Sequence, residues 1–185
     1  DLTALNGLLF FRGYSWPHEP TLWRSDGTEK GTVIVSEVGP WRPSELTNVD
    51  DTLFFTSPAS PGSTRNIIWT SDGETLNSLK TIPSVSYDAR PRAFTAVDDR
   101  LFFVTDDGQH GHELWTSDGT ETGTHLVKDI APNQADSHPH QLINVNGKLF
   151  FFATQEGKTQ LWQSDGTEAG TQRVSMLSEG LLTGY

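Results

Sequence analysis

The chain has 185 residues, with 24 acidic against 13 basic side chains, a net charge of −11 and a pI near 4.8. Such a field repels phosphate backbones and anionic lipid, so nucleic-acid and membrane-surface partners are excluded, and no apolar run approaches the ~18 residues of a spanning helix, which excludes membrane insertion by a helix. The absence of cysteine removes disulfides, thiol catalysis and Cys-ligated zinc, while 17 Gly and 10 Pro against 34% apolar residues point to short strands and tight turns rather than a helical bundle.

The chain opens at Asp1, without Met or a signal-peptide pattern, as a processed, excised or partial chain would. Four similar copies then follow, over residues 1–45, 46–93, 94–141 and 142–185. The first opens with Leu2-Thr3 and turns at Asn6-Gly7. It then carries Phe10-Phe11, Trp23 and the turn Ser25-Asp26-Gly27-Thr28. The second opens with Leu46-Thr47 and has Asp50-Asp51, Phe54-Phe55, Trp69 and Ser71-Asp72-Gly73 at matching places.

The third copy reads as four strands: Phe94 to Val97, Leu101 to Thr105, Glu113 to Ser117 and Thr124 to Ile130. Asp98-Asp99 joins the first two, Asp107-Gly108 opens the next turn, and Asp118 to Gly123 forms the last. A polar loop, Ala131 to Gln141, leads to the fourth copy, with Asn146-Gly147, Phe150-Phe151, Trp162 and Ser164-Asp165-Gly166. Asn-Gly between apolar runs is a strong hairpin signal, because both positions need positive φ. Leu182-Thr183 reads as the start of a fifth copy.

The second strands do not alternate. Leu101-Phe102-Phe103-Val104 and Leu149-Phe150-Phe151-Phe152 are apolar on consecutive residues, so both strand faces must be buried. A sheet held between two like sheets achieves this. The expected fold is therefore all-β: a β-propeller of four-stranded antiparallel blades of about 46 residues. Four blades either close a small ring or belong to a larger one, completed by another chain or by further sequence. An open arc would expose its terminal faces, so the first and fourth copies are expected to meet each other or blades of another chain.

The run Glu113-Leu114-Trp115-Thr116-Ser117-Asp118-Gly119-Thr120 resembles the signature of the ELWxxDGT repeat family. Thr21 and Gln160 stand where the first and fourth copies would have Glu, and the second copy departs furthest, with Ile68 before Trp69 and Glu74 for Thr. Asn77-Ser78 replaces Gly123-Thr124 there, and Asn tolerates the left-handed conformation a glycine would use, so the turn is expected to persist. The resemblance implies a bacterial secreted or surface repeat protein.

The recurring Asp26, Asp72, Asp118 and Asp165 suit a structural role, each carboxylate accepting hydrogen bonds from its own turn while Gly27, Gly73, Gly119 and Gly166 supply positive φ. Calcium is the alternative, since repeated Asp beside backbone carbonyls suits a hard cation. The turn distantly resembles the Asp-box of sialidase propellers, but the sequence presents no arginine cluster for a sugar carboxylate. Trp23, Trp69, Trp115 and Trp162 are read as packing between blades, with sugar stacking as the alternative. Trp16 and Trp41 lie in loops and are the candidate ligand contacts.

His110 and His112 share a turn, and His138 and His140 share a loop. With Asp106 and Asp107, His110 and His112 form a candidate metal set. Carboxylate pairs such as Asp98-Asp99 sit in solvated turns and are no poised acid–base pair. No nucleophile motif appears and no cofactor is required. The expected function is a non-enzymatic extracellular binding or structural module whose partner is another protein chain or a surface glycan. The alternatives are a multivalent propeller lectin and, as the weakest, a hydrolase on a propeller scaffold.

Overall fold

A computed structural model describes residues 2–14, 19–36, 41–83 and 87–175. Among the described residues sixteen strands form four sheets, each a four-stranded meander in sequence order. Blade 1 holds β1 (Leu2–Leu5), β2 (Leu8–Gly13), β3 (Thr21–Ser25) and β4 (Val33–Ile34). Blade 2 holds β5 (Ser44–Val49), β6 (Thr52–Pro58), β7 (Asn66–Ser71) and β8 (Leu76–Ile82). Blade 3 holds β9 (Arg92–Val97), β10 (Arg100–Asp106), β11 (His112–Ser117) and β12 (His125–Lys128). Blade 4 holds β13 (His140–Val145), β14 (Lys148–Gln155), β15 (Lys158–Ser164) and β16 (Gln172–Ser175). The lone helical piece among the described residues is a short 3-10 turn, Tyr87–Ala89.

The hairpin turns explain the tight joints. Asn6 and Gly7, Asp50 and Asp51, and Asn146 and Gly147 all take positive φ, the twist that matches flanking right-handed strands. Across each middle hairpin the second Phe faces the repeat tryptophan: Phe11 opposite Trp23, Phe55 opposite Trp69, Phe103 opposite Trp115 and Phe151 opposite Trp162. In blades 2, 3 and 4 the register to the outermost strand shifts at that tryptophan, a bulge that turns the edge.

Burial follows the predicted two-sided pattern. In β6 and β10 five consecutive residues are buried. One set of faces packs forward onto the next blade and the other packs back onto the previous one. Leu5, Phe10 and Leu22 of blade 1 cluster with Leu46, Leu53 and Phe55 of blade 2. Val49, Phe54 and Ile68 of blade 2 cluster with Leu101, Phe103 and Trp115 of blade 3. Val97, Phe102 and Leu114 of blade 3 cluster with Leu149, Phe151 and Trp162 of blade 4. The innermost strands β1, β5, β9 and β13 lie side by side in that order. Among the described residues no buried cluster joins blade 4 back to blade 1. Among the described residues the four blades thus form an arc, with one face of blade 1 and one face of blade 4 left uncovered.

Candidate functional site

A meander alternates its connections between two ends. The hairpins after β1, β5, β9 and β13 and the Asp-Gly turns occupy one end. The longer loops, between second and third strands and between blades, occupy the other.

The first end is self-contained. Asp118 Oδ1 accepts from the Thr120 N–H at 2.9 Å and the Thr120 hydroxyl at 2.7 Å, and the same pair recurs at Asp26 with Thr28 and at Asp165 with Thr167. The threonine hydroxyl accepts in turn from Gly31, Gly123 or Gly170 N–H at 2.9 Å. Thr28, Thr120 and Thr167 therefore hold their carboxylates below the usual Asp range, by the hydroxyl bond first and the amide bond second. Gly27, Gly73, Gly119 and Gly166 take φ between 87° and 102°.

The second glycine of the turn has a different reason from the one its sequence suggested. Gly31, Gly123 and Gly170 lie outside the left-handed region, and a Cβ on any of them would overlap the Asp carboxylate. Asn77 does not stand in for such a glycine. It lies inside β8 opposite Thr70, and the second turn is shorter, with Asp72 Oδ1 accepting from the N–H groups of Glu74 and Thr75.

The repeat tryptophans pack within the fold. Trp115 and Trp162 are buried, Trp23 and Trp69 partly so. Phe11–Trp23, Phe55–Trp69 and Phe103–Trp115 have ring centroids 6.3–6.4 Å apart. The Trp69 indole donates to Ser57 Oγ at 2.9 Å, whereas at the matching place of blade 1 the Trp23 ring covers Gly13.

The loop end carries the candidate ligand groove, a concavity of about 420 Å³ spanning the loops of blades 1 and 2. Trp41, half-buried, lines it with the exposed Tyr14. Trp16, the other predicted contact, lies outside the described residues. Arg12, Arg42 and Arg90 line it as well, from β2, the loop into β5 and the segment after the 3-10 turn. Arg42 pairs with Glu19 at 2.8 Å. An arginine group invisible as a run of sequence is assembled from one strand and two connections. Nothing in the local spacing could have found it.

The predicted metal set does not converge. His110 Nδ1 pairs with Asp107 Oδ2 at 2.9 Å, Asp106 Oδ1 accepts from Gly108 N–H, and His112 turns instead to Asp136. Burial works to raise the Asp107 carboxyl, but bonds from Gln109 N–H and His110 outweigh it and hold it low. Among the described residues His112, Asp136 and His138 are the group whose ligand atoms come within 4.8 Å of one another. Its carboxylate is already engaged, since Asp136 Oδ1 accepts from the His112 N–H at 2.7 Å and faces its Nδ1 at 2.8 Å. The other His112 nitrogen faces the Asp88 carbonyl at 3.1 Å, so the ring bridges two connections. His140 instead stacks on Phe152.

Glu113, the first residue of the signature run and beside the candidate metal set in sequence, is fully buried. It accepts from Ser137 Oγ at 2.6 Å and from the N–H groups of Ala131 and Ile130 at 3.0 and 3.2 Å, tying the long loop to β11. Burial pushes its carboxyl up to about 7.

No family model and no curated protein matches the chain. Solved structures do. The chain is similar to oligopeptidase B from Leishmania major at 17% identity and TM-score 0.63, over 97% of this chain and 27% of that one. The β-propeller domain of the Trilobed protease from Pyrococcus furiosus matches at 16% identity and TM-score 0.56, over 95% and 56%. A nidogen/laminin complex matches at 16% identity and TM-score 0.51, over 86% and 68%. The chain spans about a quarter of the oligopeptidase and little over half of the Trilobed propeller. At these identities the likeness speaks for the fold alone, and it agrees with the sheets: these are β-propeller blades.

Proposed function

We propose that the chain is a non-enzymatic binding and structural module of a bacterial secreted or surface protein. Its ligand groove is the concavity between the loops of blades 1 and 2. The observation that carries this reading is the gathering of Arg12, Arg42 and Arg90 beside Trp41 and Tyr14. A chain with net charge −11 and 13 basic residues brings three arginines to the lining of one concave site, Arg42 paired there with Glu19. Guanidinium groups match carboxylates in paired hydrogen bonds, and aromatic rings supply rigid contact area. An acidic segment of a protein partner fits that chemistry. The nidogen/laminin likeness, a propeller-like match from a protein complex, is compatible with it. Further blades against the open ends of the arc are the second kind of partner.

A lectin is the second reading, favoured by the exposed Tyr14 and the half-buried Trp41. It would use this groove rather than one site per junction, because Trp115 and Trp162 are covered by neighbouring side chains. Arrays of acidic peptides and of glycans, probed with the chain and with Trp41→Ala and Arg12→Ala, separate the two. Peptide binding lost in both variants supports the proposal. Glycan binding lost in Trp41→Ala supports the lectin. Binding unchanged in both variants removes the groove from either. A screen against glycosides and esters is expected to show no turnover.

A further inference from the structure

The three junctions of the arc repeat one packing rule. The first Phe of each second strand reaches under the Asp-Gly turn of the next blade. Its ring tip lies 3.7 Å from the Cβ position of Gly73 for Phe10, 3.5 Å from Gly119 for Phe54, and 3.3 Å from Gly166 for Phe102. All three rings are buried. The series has one Phe and one turn left over. Phe150 of blade 4 is only partly buried, and Gly27 of blade 1 has nothing within 4 Å of its Cβ position.

The surrounding residues show the same division. Leu5, Val49 and Val97 are buried, whereas Val145 at their place in blade 4 is 45% exposed. Val127 is buried, and Val174 at its place is also 45% exposed. Leu22, Ile68 and Leu114 are buried, whereas Leu161 is partly open. On the other end of the arc, Leu53, Leu101 and Leu149 are buried, whereas Leu9 is 38% exposed, and Leu2 beside it 72%. Thus the forward face of blade 4 and the back face of blade 1 are the two complementary halves of a junction built three times within the chain. One polar bond is also ready to recur. Asn6 donates from Nδ2 to the Asp72 carbonyl across the first junction, at 3.2 Å, and Asn146 stands at the place of Asn6 in blade 4.

We propose that a second copy of this chain supplies the missing half. Its blade 1 seats on blade 4 of the first, with Phe150 under Gly27 and Asn146 donating to the Asp26 carbonyl. The contact is head-to-tail, so the same surface does not meet itself. Two such junctions would close two arcs into a ring of ~8 blades, within the range that propellers use. This deepens the proposal of further blades and rests on it, while leaving the groove on the loop end open.

The test uses light scattering on the whole chain and on two variants, Val145→Asp and Leu9→Asp. Both residues are surface-exposed in the single chain, so circular dichroism is expected to match the parent, while melting falls only by the stabilisation that association lends the parent. The parent is expected to run as a dimer. Each variant alone should weaken association at least tenfold. An equimolar mixture should recover a 1:1 dimer that does not grow, because each variant retains the half the other lacks. A monomeric parent, variants that still dimerise, or a mixture that stays monomeric would overturn the proposal. Peptide and glycan binding by Trp41 is measured on the same variants. If it persists while association fails, the groove reading stands and only the copy-to-copy junction falls.

Discussion

Replacing Gly123 by alanine separates close approach from backbone freedom as the reason for the turn's second glycine. A Cβ there would overlap the Asp118 carboxylate and drive it off Thr120. The losses are the bonds from the Thr120 N–H at 2.9 Å and its hydroxyl at 2.7 Å. Bonds to a charged acceptor are worth about 1.5–3 kcal/mol when protected, but these face solvent, which brings the cost to about 1 kcal/mol. Asp118→Ala removes the same bonds and should cost a similar amount. In the Asp118→Ala background the obstruction is gone. Gly123 lies outside the left-handed region, so alanine then only restricts the unfolded chain and stabilises by about 0.4–1 kcal/mol. That gain applies in both backgrounds, so the substitution goes from neutral or slightly destabilising in the parent to stabilising in the Asp118→Ala background, with a coupling of about 1 kcal/mol, the worth of the lost bonds. Urea unfolding of the parent, both single variants and the double variant measures it. An equal cost in both backgrounds would refute the steric account.

Trp115→Ala should cost about 3–5 kcal/mol, since it empties part of the junction between blades 2 and 3. A urea midpoint like the parent's would mean that the ring packs against nothing. Glu113, with its carboxyl raised to about 7, is protonated in both states below its unfolded value near 4.5. Its contribution is therefore complete in acid and is lost as pH rises through 7, up to about 3 kcal/mol. Glu113→Gln should remove that downward slope between pH 5 and 8, and identical slopes in the two proteins would contradict it. EDTA should leave the melting temperature unchanged, because the Asp26, Asp118 and Asp165 oxygens already accept from their own turns. A drop restored by calcium would point to a bound cation instead.

The sequence by itself determined the blade. Asn6-Gly7 and Asn146-Gly147 place positive φ where a tight hairpin needs it, and consecutive apolar residues such as Leu101 to Val104 demand cover on both faces. These are local properties of φ, side-chain period and polarity, so they can be read within a single repeat. Asp118 as a lock was legible for the same reason, since its partners lie two residues away. What the second glycine does was not, because a negative-φ glycine gives no local sign of the carboxylate above it. Only the tertiary structure joined His112 to Asp136 rather than to His110, buried Glu113 under its loop, and drew Arg12, Arg42 and Arg90 into one groove. Those contacts span 17 residues or more, or depend on how neighbouring blades pack, as the uncovered faces of Phe150 and Leu9 also do. A local pattern can state that a face must be buried. Which surface covers it depends on where the adjoining blade lies in space.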